Sequence, residues 1–139
     1  MIYAMFALVL LTTAVAIHLL RLRIAAVKSG KISLSYFSVN KSESPVPSNM
    51  EQAAKNFSNL FEVPTLFYVS GCLVLSLHIE TLAITLLAWA FVLTRAIHSW
   101  IHLTSNNVLH RMKIFLLSNI CMLLIWCLIV WNYSQASTH

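Results

Sequence analysis

Four apolar runs, Tyr3 to Leu20, Val63 to Leu77, Leu82 to Leu103 and Ile114 to Trp131, constrain this chain more than any other feature. One crossing of the bilayer core takes about 20 helical residues, so each run is the length of one span, the second being short because its helix begins in a polar stretch. With 59% hydrophobic and 9% charged residues, the 139-residue chain has too little polar surface to dissolve as a globule. The pattern predicts an all-α membrane protein, one domain over residues 1–139. Its four transmembrane helices, at about 2–27, 49–77, 81–104 and 107–133, form an up-down-up-down bundle. A polar connection covers 28–48. The first run lacks a basic leader and a small-residue cleavage site, so it is expected to be a retained helix rather than a signal peptide.

The net charge of +5 says more about topology than about partners. Of nine Lys and Arg, six lie between Arg21 and Lys55, two are Arg111 and Lys113, and one is Arg95 inside a span. The turn at 78–81 and the tail after Trp131 have none. By the positive-inside rule both termini lie outside and the basic connections face the cytoplasm, as in a bacterial inner-membrane protein. The charge does not read as a nucleic-acid surface. Cys72, Cys121 and Cys127 fall within spans and read as small apolar residues, not as a disulfide framework.

The second helix carries the first chemical constellation. Ser48 and Glu51 have capping-box spacing, so this helix is expected to start in water. Lys55, Asn59 and Glu62 then follow at i, i+4 and i+7 on one face. Ionisable groups at the mouth of a span usually face a bundle interior or a water-filled cavity. Pro64 has no N–H and crowds the carbonyl of Leu60, which predicts a kink and a freed backbone acceptor.

The third helix carries the second constellation, Arg95, His98 and His102 at i, i+3 and i+7. With the second and third helices antiparallel, Glu62 and Arg95 fall at similar depth, and a salt bridge between them is expected. The i, i+4 histidine pair has the spacing of a helical metal site. It lacks a third ligand in sequence and has the Arg95 cation beside it, so no metal is expected. Asn106-Asn107 breaks the helical pattern before His110, Arg111 and Lys113. Trp126, Trp131 and Tyr133 read as interfacial anchors.

Together these residues suit a small anionic, amide-rich ligand such as glutathione. Lys55, Arg21 or Arg23, and Arg111 would meet carboxylates, Asn59, His98 and His102 would hydrogen-bond, and Glu62 would meet an ammonium group. Asn59-x-x-Glu62-x-Pro64-x-Leu66-Phe67-Tyr68, followed by Arg95-x-x-His98-x-x-x-His102, resembles the MAPEG family, the membrane-associated proteins of eicosanoid and glutathione metabolism. The resemblance covers nearly the whole chain. It implies a homotrimer with glutathione bound between protomers and a lipophilic substrate arriving through the bilayer. Carried across, the helix-two cation, asparagine and glutamate fall on Lys55, Asn59 and Glu62, and the helix-three arginine falls on Arg95.

Two departures stand out. Histidines replace the helix-three tyrosines of the conjugating members, and lysine replaces the usual arginine at position 55, without its bidentate reach. The thiol-activating arginine has no counterpart within the third helix, leaving Arg111, if that helix continues far enough to deliver it, or His102 as the catalytic candidates. The resulting expectation is a glutathione-dependent transferase or peroxidase for lipophilic electrophiles or hydroperoxides. The alternative is a non-catalytic member that binds lipophiles or partner proteins. A small multidrug exporter fits less well, because the polar residues cluster at one end.

Overall fold

The computed structural model describes residues 1–39 and 46–136, and its regular structure there is entirely helical. In chain order the helices are α1 (Ile2–Lys28), α2 (Ser35–Val39), α3 (Ser48–Asn59), α4 (Val63–Ser76), α5 (Leu82–Leu103) and α6 (Val108–Ala136). Four segments are long and apolar enough to span a bilayer: α1, the α3–α4 pair taken together, α5 and α6. Within the 28–48 connection, residues 40–45 lie outside the described part, as does the tail at 137–139.

Apart from the amphipathic α3, these helices are apolar nearly all round and bury only seams, as expected where lipid covers the remaining faces. The buried residues of α1 are Ala4, Leu8, Val15, Leu19 and Ala26, spaced by fours and sevens on one stripe. Its Ile2, Tyr3, Phe6 and Leu10 point outward. The main core joins Leu8 to Phe67, Val74, Ile84, Ala88, Phe91 and Ile125. Phe67 of α4 and Phe91 of α5 stack at 4.7 Å between centroids. A second, smaller cluster, Leu19, Ala26, Ile32, Met50 and Ala53, packs the end of α1 against α3. Polar side chains within the spans fold back on their own helix: Thr12 donates to the Leu8 carbonyl, and Ser118 and Asn119 donate to that of Phe115. These three donors are thereby paired within hydrocarbon.

Helix ends follow local chemistry. After α1, Gly30 takes a left-handed backbone (φ 70°), and Gly30 and Lys31 donate back to Val27 and Ala26. The same closure ends α4, with His78 in the left-handed position (φ 54°) and Ile79 donating to Val74. Thr81 caps α5, its hydroxyl accepting from the Ile84 amide.

Two expectations are corrected in the second span. The Ser48–Glu51 capping box does not form, because Pro47 holds the cap position and Ser48 is already inside the helix. Glu51 instead pairs with Lys55 at 2.7 Å. The helix also does more than kink. It ends at Asn59 and restarts at Val63, with Glu62 at the N-cap and Pro64 in the first turn of α4, where a missing N–H is tolerated.

α4 crosses α1 where Gly71 meets Met5; a Cβ on Gly71 would sit 2.5 Å from the Met5 sulfur. Small residues at such crossings let helices approach closely. Gly71→Leu should therefore destabilise the detergent-solubilised protein by about 1 to 3 kcal/mol. Adding Met5→Ala to that variant should recover most of the loss in thermal unfolding.

Candidate functional site

The site is built on a single stripe of α5. Ile84, Ala88, Phe91, Arg95, His98 and His102 succeed one another at alternating steps of four and three, and all six are buried. This is the a/d spacing of a packed helix seam. The stripe is apolar as far as Phe91 and polar from Arg95 onward, so the seam that forms the core continues into the chemistry. His98 and His102 lie 5.9 Å apart between ring centroids, and His98 also lies 6.0 Å from Phe115 of α6.

Arg95 is fully buried, at 0% exposure. Its Nη2 donates to the Asn59 carbonyl at 2.9 Å. That carbonyl belongs to the last turn of α3, where the break before Pro64 removes the intrahelical donors. The guanidinium therefore caps the end of α3 and meets the negative end of its dipole. It also lies 5.9 Å from the Phe115 ring, a cation–π contact. The expected Glu62–Arg95 salt bridge is not formed. Arg95 is spent on the backbone, and Glu62, turned outward at the start of α4, is exposed. Nε and Nη1 of Arg95 have no hydrogen-bond partner among the described residues.

Beside this break lies a cleft of about 390 Å³ lined by Glu51, Lys55, Ser58, Asn59, Glu62, His102 and Arg111, with Ala54. It falls within the usual volume range of small-molecule sites. Lys55 and Asn59 come from α3, Glu62 from the break, His102 from α5 and Arg111 from the first turn of α6. Arg111 does not ride on an extended α5, as the sequence reading required. That helix ends at Leu103, and Asn106 takes a left-handed backbone (φ 49°), its amide returning to the Ile101 carbonyl at 2.8 Å. The Asn106 Oδ1 then accepts from Arg111 Nη1 at 2.5 Å, while Arg111 Nε has no such partner among the described residues. The turn thus both reverses the chain and aims the guanidinium.

Five sequence-selected residues, Lys55, Asn59, Glu62, His102 and Arg111, share the cleft. Arg95 and His98 do not line it. Arg95 reaches it only through the Asn59 backbone, and His98 is held against Phe115. Arg23 lies elsewhere, over the Phe37 ring in a neighbouring cavity of about 680 Å³ beyond Glu51 and Ala54. No group of three metal-binding side chains forms among the described residues. Sequence reasoning missed Asn106 as an orienting group; the chain break it marks was the available signal. It also missed Asn56, wholly buried on α3 with neither side-chain amide atom paired among the described residues. Asn56 stands three residues after Ala53 and four before Leu60, both buried, so that spacing was the available signal.

These contacts separate two substitutions. Arg95→Met should uncap α3 and accelerate hydrogen exchange of the Leu60 and Phe61 amides, which bond back into its last turn, by roughly 10- to 100-fold, as for loss of one charged hydrogen bond. Glu62→Gln should leave thermal stability within about 0.5 kcal/mol, because an exposed, unbridged carboxylate holds nothing together. Exchange mass spectrometry and thermal unfolding of both variants check this.

Searches of curated proteins and of solved structures give no match. The sequence model of the MAPEG family matches residues 1–131, nearly the whole chain. The four apolar spans agree with that match and make this an integral, multi-pass membrane protein. From the first helix to the last, the chain belongs to the MAPEG family.

Proposed function

We propose that the cleft beside the α3–α4 break binds glutathione and that the protein transfers this thiol to lipophilic electrophiles, or reduces lipophilic hydroperoxides with it. The family type, membrane proteins of glutathione and eicosanoid metabolism, supports this reading. The observation that carries it is the convergence of Lys55, Asn59, Glu62, His102 and Arg111 from four parts of the chain on one cleft. Glutathione offers two carboxylates, an ammonium group and two amides. Lys55 and Arg111 complement the carboxylates or the sulfur, Glu62 the ammonium, and Asn59 the amides.

In this reading the helices run up-down-up-down with both termini outside the cytoplasm, so the cleft opens to cytosolic glutathione in a bacterial inner membrane. The exposed sides of Lys55 and Glu62 suit closure by a neighbouring protomer of a homotrimer.

Chemistry then depends on the thiol. With a pKa near 8.5, a free thiol is only about 3% thiolate at pH 7. A guanidinium fixed close to the sulfur favours the anion, and each unit of lowering needs about 1.4 kcal/mol. Arg111, held by Asn106, is the activator in this account. The thiol proton leaves to solvent, the thiolate forms a bond to the electrophilic carbon, and that carbon's leaving group departs with its electron pair. With a hydroperoxide the O–O bond breaks instead, and a second glutathione completes reduction to alcohol, water and disulfide.

Bound glutathione should show thiolate ultraviolet absorbance at neutral pH. Arg111→Ala should abolish it and His102→Ala should retain it. Asn106→Gly, which keeps the left-handed backbone but removes the Oδ1 acceptor, should weaken the signal without lowering thermal stability. Glutathione binding without any thiolate absorbance would favour the non-catalytic, lipophile-binding reading instead.

A further inference from the structure

Arg23, displaced from the cleft, borders a second feature. Leu20, Arg23, Ile24, Val27 and Lys28 form one stripe at the end of α1, at i, i+3, i+4, i+7 and i+8. With Leu34 and Phe37 opposite, they line an open groove of about 530 Å³. Its apolar members are left uncovered, Leu34 at 74% exposure and Leu20 at 55%. Its only cations, Arg23 and Lys28, have no carboxylate partner among the described residues. Arg23 instead lies 5.6 Å from the centre of the Phe37 ring, which holds the guanidinium at the rim.

Depth places this groove at a particular layer. The 27 residues of α1 make a helix about 40 Å long, against a hydrocarbon core of about 30 Å. The excess carries the end bearing Arg23 and Lys28 toward the headgroup region, with Leu20 and Ile24 each about one turn deeper than one of these cations. Apolar side chains directly beneath two unpaired cations complement a molecule that is apolar below and anionic above.

We infer that the groove between the end of α1 and the Leu34–Phe37 segment is a binding site for one anionic phospholipid. An acyl chain lies along Leu20, Ile24 and Leu34, and the phosphate is held between Arg23 and Lys28. A zwitterionic lipid offers the same chain and phosphate but adds a cation of its own beside those two, so discrimination rests on headgroup charge. The lipid site is independent of the glutathione cleft, and failure of either leaves the other standing.

The test uses the full-length detergent-purified protein, with dioleoyl phosphatidylglycerol, dioleoyl phosphatidylcholine and inorganic phosphate as probes. Native mass spectrometry should retain phosphatidylglycerol over phosphatidylcholine. That preference should fall roughly fivefold for each cation removed in Arg23→Gln and Lys28→Gln, while Lys113→Gln, a cation on α6, leaves it unchanged. Equal retention of the two lipids, or equal loss with Lys113→Gln, would overturn the site in favour of unspecific attraction. Protection against thermal unfolding by inorganic phosphate alone, equal to that from the lipid, would overturn the lipid assignment in favour of a free-anion site. If the variants fold poorly, a photoreactive phosphatidylglycerol on the unaltered chain decides. Cross-links concentrated at residues 20–37 support the site, and cross-links spread over all four spans refute it.

Discussion

The hydrogen bond from Arg95 to the Asn59 carbonyl is the contact on which the rest of the site depends. A helix broken inside a membrane protein leaves carbonyls without donors, and hydrocarbon offers none in exchange. Pro64 enforces such a break in the second span, and the guanidinium supplies a donor together with a positive charge at the dipole's negative end. With the end of α3 held in this way, Glu62 sits at the cap of α4, free to face the cleft. Had Glu62 been the partner of Arg95, the same two residues would have formed a buried ion pair and the cleft would have lost one of its two carboxylates, leaving Glu51.

One helix unites core and chemistry. The Phe67–Phe91 stack and the Ile84–Ala88 seam hold α5 against α4 and the core, and four residues beyond Phe91 the same stripe presents Arg95. A group on a packed seam has few rotamers open to it, which is what a preorganised electrostatic site requires. The outer wall is less constrained: Lys55 and Glu51, paired across one turn of α3, have side chains 67% and 55% exposed. The cleft thus has a rigid floor from α5 and α6 and an adaptable wall from α3, an arrangement suited to closing on a ligand.

Much of this was legible in the sequence, because membrane spans and helix faces are periodic. The apolar runs locate the helices, and the i, i+3, i+7 spacing groups Arg95, His98 and His102 before any coordinates. Lys55, Asn59 and Glu62 remain together even though the helix assumed to align them is interrupted, since a short break preserves their approximate side. What the sequence hid were side-chain to backbone contacts. Arg95 bonds a carbonyl 36 residues away, and every residue has a carbonyl, so side-chain charge led to Glu62 instead. Arg111 was recognised as a cation, but its delivery depends on the left-handed turn at Asn106, a property of backbone angles. Arg23 was grouped with the ligand cations by charge alone, while the packing of α1 turns it toward Phe37.

The central claim is that the cleft at the α3–α4 break is a glutathione site, and isothermal calorimetry of the detergent-purified protein with glutathione tests it most directly. The account predicts saturable binding that Lys55→Ala weakens by about tenfold, the loss of roughly 1.4 kcal/mol of contact to a ligand carboxylate. Absence of saturable heat up to millimolar glutathione, or binding unchanged in Lys55→Ala and Arg111→Ala alike, would contradict it.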